Sequence, residues 1–278
     1  MINLRAIPLA LAAIAAGAAP AAAHFQMMHA GPANRAPGQP AEMLIVFTHP
    51  FTGGPSMDMG TPEEFYMVHA RGEAEPEQVD LAQYLTPIDW TDAHLDNVVT
   101  AYRASIPAAD MRSLGDYTFV LRPAPYLEEE EDVYIQQITK TVFNVGGVPG
   151  NWDQPLGLPT EIVPLGKPYA NWTGGVFRGV VLSDGEPVPH AEIEVEYVNR
   201  ALDAQSHGWT GEAAIEAPFP PFENLSIRAD ASGTFTIGLP KAGWWGIGAL
   251  GVGPDTEHED KELSQDAVIW VEVTDMPS

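Results

Sequence analysis

Ala191-Glu192-Ile193-Glu194-Val195-Glu196-Tyr197 alternates apolar and acidic residues without a break. A period of two puts Ala191, Ile193, Val195 and Tyr197 on one face of a β-strand and three glutamates on the other. Short apolar runs of strand length recur along the rest of the chain, at 42–48, 65–70, 117–122, 132–144, 176–183, 233–239, 246–252 and 267–273. Between them, 26 glycines and 26 prolines punctuate the 278 residues every few positions. Helix signals are scarce, and residues 92–105 fit a helix or a strand. The pattern predicts an all-β fold of sandwich type.

A boundary is visible near the middle. Gly146-Gly147-Val148-Pro149-Gly150 ends a first block of strands, and residues 151–174 then carry Pro155, Pro159, Pro164 and Pro168. Proline at that density reads as a linker. Trp152, Leu156, Ile162, Val163, Tyr169 and Trp172 are too apolar for a free tether, so the segment is expected to pack. The organisation expected is a β-sandwich domain over 24–150, a packed linker over 151–174 and a second β-sandwich domain over 175–278. In the second block, the turn 184–189, the alternating strand, Ala229-Asp230-Ala231-Ser232-Gly233, the strand 234–239 and Gly243-Trp244-Trp245 follow in an order that resembles the small carboxypeptidase-regulatory and transthyretin-like sandwiches. The glutamate row reads either as a cation site or as a solvated strand face.

The first 23 residues have a basic start, an apolar run from Ala6 to Ala19 and the close Ala21-Ala22-Ala23. That is the form of a secretory signal peptide with cleavage after Ala23. The alanine-rich leader points to a bacterial periplasm. After it, no apolar stretch approaches the ~20 residues that span a bilayer, so no integral membrane segment is expected in the mature chain.

Formal charge is −25, and one unit more negative once Arg5 leaves with the leader. Such acidity argues against nucleic acid and anionic lipid as partners. Cysteine is absent, which excludes disulfides, thiolate zinc sites and a catalytic thiol. There is no Gly-x-Ser-x-Gly, phosphate loop, His-Glu-x-x-His or dinucleotide glycine pattern, so enzymatic chemistry is not expected. The run Glu128–Asp132 reads as solvated.

Cleavage after Ala23 would make His24 the first residue of the mature protein. Its α-amine, titrating near ~8, and its imidazole, near ~6.5, lie within chelating reach of one ion. His49 ends an apolar strand and precedes Pro50-Phe51, so a rigid element would hold it at a pocket edge. His69 shares a face with Phe65 and Met67 and reads as a half-buried core residue, while His94 sits between Asp92 and Asp96. His190 and His207 read as surface residues. His258, in Glu257-His258-Glu259-Asp260-Lys261-Glu262, reads as a cation ligand or as part of a charged loop. Six of nine methionines lie between Met27 and Met67, with Met57-Asp58-Met59 in a loop just after His49. Thioethers suit Cu(I), nitrogen and carboxylate ligands suit Ni(II), Co(II) and Cu(II), and methionine is equally a core filler.

Several segments taken together carry a resemblance: Ala23-His24-Phe25-Gln26, Thr48-His49-Pro50-Phe51, Pro125-Tyr126, Gly157-Leu158-Pro159-Thr160-Glu161, the alternating strand after Pro189, Gly243-Trp244-Trp245-Gly246 and Asp255-Thr256-Glu257-His258. Their order resembles the exported proteins described as the periplasmic component of nickel/cobalt transport systems, accessories to energy-coupling-factor-type importers. The resemblance implies two β-sandwich domains, Ni(II) or Co(II) as the metal and the membrane components of an importer as partners. The positions matching its motifs with ligand chemistry are His24, His49 and His258, and Met57, Asp58 or Met59 would complete the sphere. An N-terminal histidine with a second histidine is also the copper brace of oxidative polysaccharide-cleaving enzymes, and a copper carrier is a variant of that alternative. A sandwich that only binds proteins or glycans is the third reading.

Overall fold

The computed structural model describes residues 24–93 and 97–277. The leader expected at 1–23, and His94 with Asp96, lie outside the described residues. The chain is almost entirely β, and its sheets pack against one another in a sandwich-like arrangement. Among the described residues the helical elements are two short 3-10 turns, Ala82–Tyr84 and Pro220–Phe222. The stretch that fitted either a helix or a strand forms the strand Val98–Ile106.

A twelve-stranded sheet is the backbone of the molecule. Its path runs from Asn224–Arg228 at one edge through Glu192–Tyr197, Gly243–Leu250, Lys261–Thr274, Val133–Val145, Gly115–Arg122 and Glu64–Ala70 to Glu77–Asp80. The pairings along this path are antiparallel except one. Val133–Val145 and Lys261–Thr274 run parallel, from Tyr134 opposite Leu263 to Thr141 opposite Trp270. That ladder joins strands from the two sequence blocks into one sheet. A second sheet orders Phe25–Ala30, Ala41–Thr48, Val98–Ile106 and Leu85–Thr91, with Gly208–Thr210 and Ala201–Asp203 beyond. The third is built on Gly175–Ser183, which pairs Thr160–Pro164 on one side and Thr234–Leu239 on the other.

Two apolar cores lie between the layers. One gathers Phe25, Met27, Met43, Trp90, Phe143 and Trp270, and the other gathers Phe177, Ile193, Val195, Phe235, Ile247 and Ile269. Alternate residues of Lys261–Thr274 feed opposite cores, Trp270 the first and Ile269 the second, as a strand buried on both faces must. Gly246 permits the closest approach: a Cβ there would stand 2.6 Å from the Trp270 ring and 3.1 Å from Phe25.

Residues 151–174 are tightly held. Thr160–Pro164 is a buried strand, and Glu161 meets Lys140 Nζ at 2.6 Å inside the protein. The second oxygen of Glu161 accepts hydrogen bonds from the backbone of Leu156 and Gly157. Burial pushes the Lys140 ammonium below its ordinary value and Glu161 pulls it back. A buried charge with its hydrogen bonds met in this way is costly to break by removing one partner.

Candidate metal centre

The amino-terminal strand Phe25–Ala30 pairs antiparallel with Ala41–Thr48, and Phe25 stands opposite Thr48. One more step of that register puts residue 24 opposite residue 49. Facing residues on an antiparallel ladder carry their side chains within ~5.5 Å of each other. The His24 and His49 rings accordingly lie 4.5 Å apart between centroids, inclined at 48°. Phe47 flanks His24 at 5.6 Å and covers one side of it.

The backbone of residues 24–26 is clamped by one side chain of the adjoining sheet. Gln137 Nε2 donates to the His24 carbonyl at 2.7 Å, and Gln137 Oε1 accepts from the Gln26 N–H at 2.6 Å. The amide thus copies one rung of a β-ladder. Gln137 Nε2 also reaches Asp266 Oδ2 at 3.1 Å. Asp266 is buried and accepts from the Gly251 N–H and the Ser264 hydroxyl as well. Burial raises its carboxyl to about 6 despite those three donors. The indole N–H of Trp270 donates to the Gln26 carbonyl at 2.9 Å, completing the hold on this strand.

His24 Nε2 lies 3.5 Å from Glu128 Oε2. Burial lowers the His24 imidazole to about 4, so at neutral pH the ring is neutral and this approach is not an ion pair. A neutral imidazole is the form that ligates a metal. The solvated reading of the Glu128 run fails at its first residue, because Glu128 is half-buried where the strand Tyr126–Glu128 turns back to pair with Val133–Val145.

The other expected ligands go elsewhere. Met57 and Met59 are buried in the first core, as are Met27, Met28, Met43 and Met67. The methionine cluster is therefore core filling, and Met59 Sδ lies 3.5 Å from Gln26 Nε2. Asp58 Oδ1 is taken by the Thr100 N–H at 2.6 Å. His258 pairs with Lys261 at the start of the long strand, and its ring stands edge-on to Tyr134 at 4.7 Å. Tyr134 and Gln137 project from opposite faces of their strand, so His258 is on the far side from the clamp that holds His24. His69 is half-buried, with Nε2 at 3.0 Å from the Leu114 carbonyl and its ring over Tyr117.

The donor set brought together is thus two imidazoles with one carboxylate beside them. Among the described residues no three His, Asp or Glu side chains converge closely enough to hold an ion by themselves. The donors fit an ion when a third comes from the α-amine of His24, which cleavage after Ala23 would free. Glu128, Gln137 and Asp266 were not readable as parts of this site, because each arrives from strands a hundred or more residues away.

The glutamate row also departs from its solvated reading. Glu194 and Glu196 are 7% and 4% exposed. Glu196 Oε2 accepts from the Phe51 N–H at 3.2 Å, two residues past His49. Burial raises the Glu196 carboxyl well above its ordinary range, with Glu194 and Glu223 adding repulsion. Glu194 is raised by burial and held back by the Asn224 amide, which donates to it at 3.0 Å.

A family model described as "Domain of unknown function (DUF4198)" matches residues 21–253. No curated protein matches the chain. Among solved structures it is similar to the D0-D1 domain of intimin, at 8% identity over 90% of this chain and 100% of that one, with a TM-score of 0.22. The adhesin InvE of Yersinia pseudotuberculosis matches at 12% identity over 91% of this chain and 61% of that one, TM-score 0.24. The alpha-2-macroglobulin of Escherichia coli matches at 10% identity over 91% of this chain and 14% of that one, TM-score 0.20.

Proposed function

The chain belongs to the DUF4198 family, and we propose that it is an exported, periplasmic metal-capture protein that holds one divalent transition ion between His24 and His49. The observation that supports this is the ladder register that sets the two rings 4.5 Å apart at the amino terminus. In the processed chain the His24 amine and imidazole chelate the ion and His49 supplies a third nitrogen. Glu128 offsets the charge of the bound ion from 3.5 Å beyond the His24 ring. Nitrogen donors without thiolates suit Ni(II) or Co(II), the metals that the motif resemblance implies, and no bond chemistry is required of the protein. The ion is cargo, handed to the membrane components of an importer. No helix of the described residues is long and apolar enough to cross a membrane.

The experiment is a titration of Ni(II), Co(II) and Cu(II) into three proteins: the chain beginning at His24, the same chain with one residue ahead of it, and His49→Ala. The reading predicts that extension and His49→Ala each weaken binding at least ~100-fold. Equal affinity in all three sinks it. The same two rings also suit a copper brace, since Cu(II) stands highest in the divalent affinity order. Ascorbate-driven cleavage of a polysaccharide by the copper-loaded protein would replace capture with oxidative catalysis.

A further inference from the structure

A groove of about 630 Å³ opens beside the segment that follows His49. Its floor is the polar face of the Glu192–Tyr197 strand, continued by Asn224 and Ser226 of the neighbouring edge strand, which stand opposite Glu196 and Glu194. One wall is the segment from His49 to Pro55, and the other is the turn at Pro220 and Pro221 followed by Glu223. The walls are largely apolar and the fixed charge is all of one sign, because four glutamates and no lysine or arginine line the groove. Glu192 reaches out to Arg228 at 3.1 Å, while Glu223 makes no ion pair among the described residues. Glu196, at the buried end of the row, is held well above its ordinary range by burial first, with Glu194 and Glu223 adding repulsion.

The lip beside this groove is unusually apolar for a surface. Phe219 and Phe222, on either side of the Pro220–Pro221 turn that walls the groove, are 68% and 56% exposed. Clustered exposure of this kind marks an interaction surface. A divalent ion is a poor occupant, since the carboxylates are spread along the floor and no three converge. A second copy is a poor occupant too, since two chains of formal charge −25 would meet acidic face to acidic face. A lysine or arginine side chain fits both features: its aliphatic stem lies along the prolines and its charged head sits over the glutamates. Flanking apolar side chains of the same segment would cover the phenylalanines.

We propose that this groove docks an extended segment of a partner protein that alternates basic and apolar residues. The proposal stands apart from the metal reading, although His49 belongs both to the groove wall and to the histidine pair. Docking rests on charge complementarity, so it weakens with salt, and on apolar contact at Phe219 and Phe222, which does not.

The test is fluorescence anisotropy with a labelled peptide of about ten residues alternating lysine and leucine, against a glutamate-leucine counterpart. Saturable binding of the lysine peptide alone is expected. The double variant Glu223→Gln, Phe222→Ser, both at partly or well exposed positions, is expected to weaken it about tenfold or more. A triple Gln replacement of Glu129, Glu130 and Glu131 is expected to change it less than about twofold. Circular dichroism of each variant establishes that it is folded. Equal losses from the two sets of substitutions would mean generic attraction to an acidic protein and overturn the proposal. So would no saturable binding, or binding of both peptides. Sedimentation showing a dimer that Phe222→Ser abolishes would assign the face to a second copy instead and also overturn it.

Discussion

His49 stands between two regions that burial treats in opposite ways. On one side, the His24 ring is taken out of water and its pKa falls to about 4, which leaves a neutral nitrogen donor at neutral pH. On the other, Glu194 and Glu196 are taken out of water, and burial pushes their carboxyls above the ordinary range. Desolvation disfavours the charged form in both places, yet it prepares an imidazole to bind metal and makes a glutamate row a weak metal site. Burial thus favours neutral nitrogen donors at His24 and disfavours ionised oxygen donors at Glu194 and Glu196, in a protein with 38 acidic residues. The less buried glutamates of the groove, Glu192 and Glu223, suit a partner that brings its own positive charge.

The largest way to sharpen this contrast is Asp266→Asn, beneath the Gln137 clamp. Asp266 titrates at about 6 when folded against an ordinary 3.8, so the folded protein keeps this proton in a window where the unfolded chain has lost it. Its contribution to stability is therefore present below about pH 4 and is lost as pH rises to about 6. The variant lacks that loss. Relative to the parent it should gain about 3 kcal/mol between about pH 4 and pH 7 in denaturant unfolding. A difference between the two proteins that does not move with pH would mean that burial does not control this carboxyl.

Gln137→Ala comes next. It leaves the His24 carbonyl and the Gln26 N–H without their shared partner, and unfolding should report a loss of about 2 kcal/mol. Amide exchange of Gln26 should rise in the same variant, which separates loss of the clamp from a general loosening of the core. Glu128→Gln should be smaller: Ni(II) affinity falls about tenfold, as for a partner beyond the ligands, with the fold unchanged. Glu196→Gln should be smallest. Glutamine can still accept from the Phe51 N–H and replaces a carboxyl that burial shifts toward its neutral form, so unfolding at mildly acidic pH should change by less than about 0.5 kcal/mol. A large loss there would show Glu196 ionised and would undo the contrast.

The strands were legible because alternation and glycine-proline punctuation are local signals. The run 267–273 was recognised and only its extent was short, since the strand runs Lys261–Thr274. His24 and His49 were both legible as candidate residues, one from the expected cleavage site and one from its strand end. That they face each other was not, because residues 31–40 between their strands do not set a register, and a slip of one residue would have separated the rings. Glu128, Gln137 and Asp266 were hidden by long-range pairing: the parallel ladder that sets Gln137 opposite Asp266 joins residues 129 apart. The glutamate row was misread because alternation shows that two faces differ and does not show what covers the polar one. The loop after His49 and the turn at Pro220 wall it in here.

The proposed function stands or falls on whether His24 and His49 share one ion in the processed chain. X-ray absorption on protein that begins at His24 and carries one equivalent of Ni(II) decides this. Two imidazole rings should scatter from the ion, falling to one in His49→Ala. An imidazole count that His49→Ala leaves unchanged would contradict the claim.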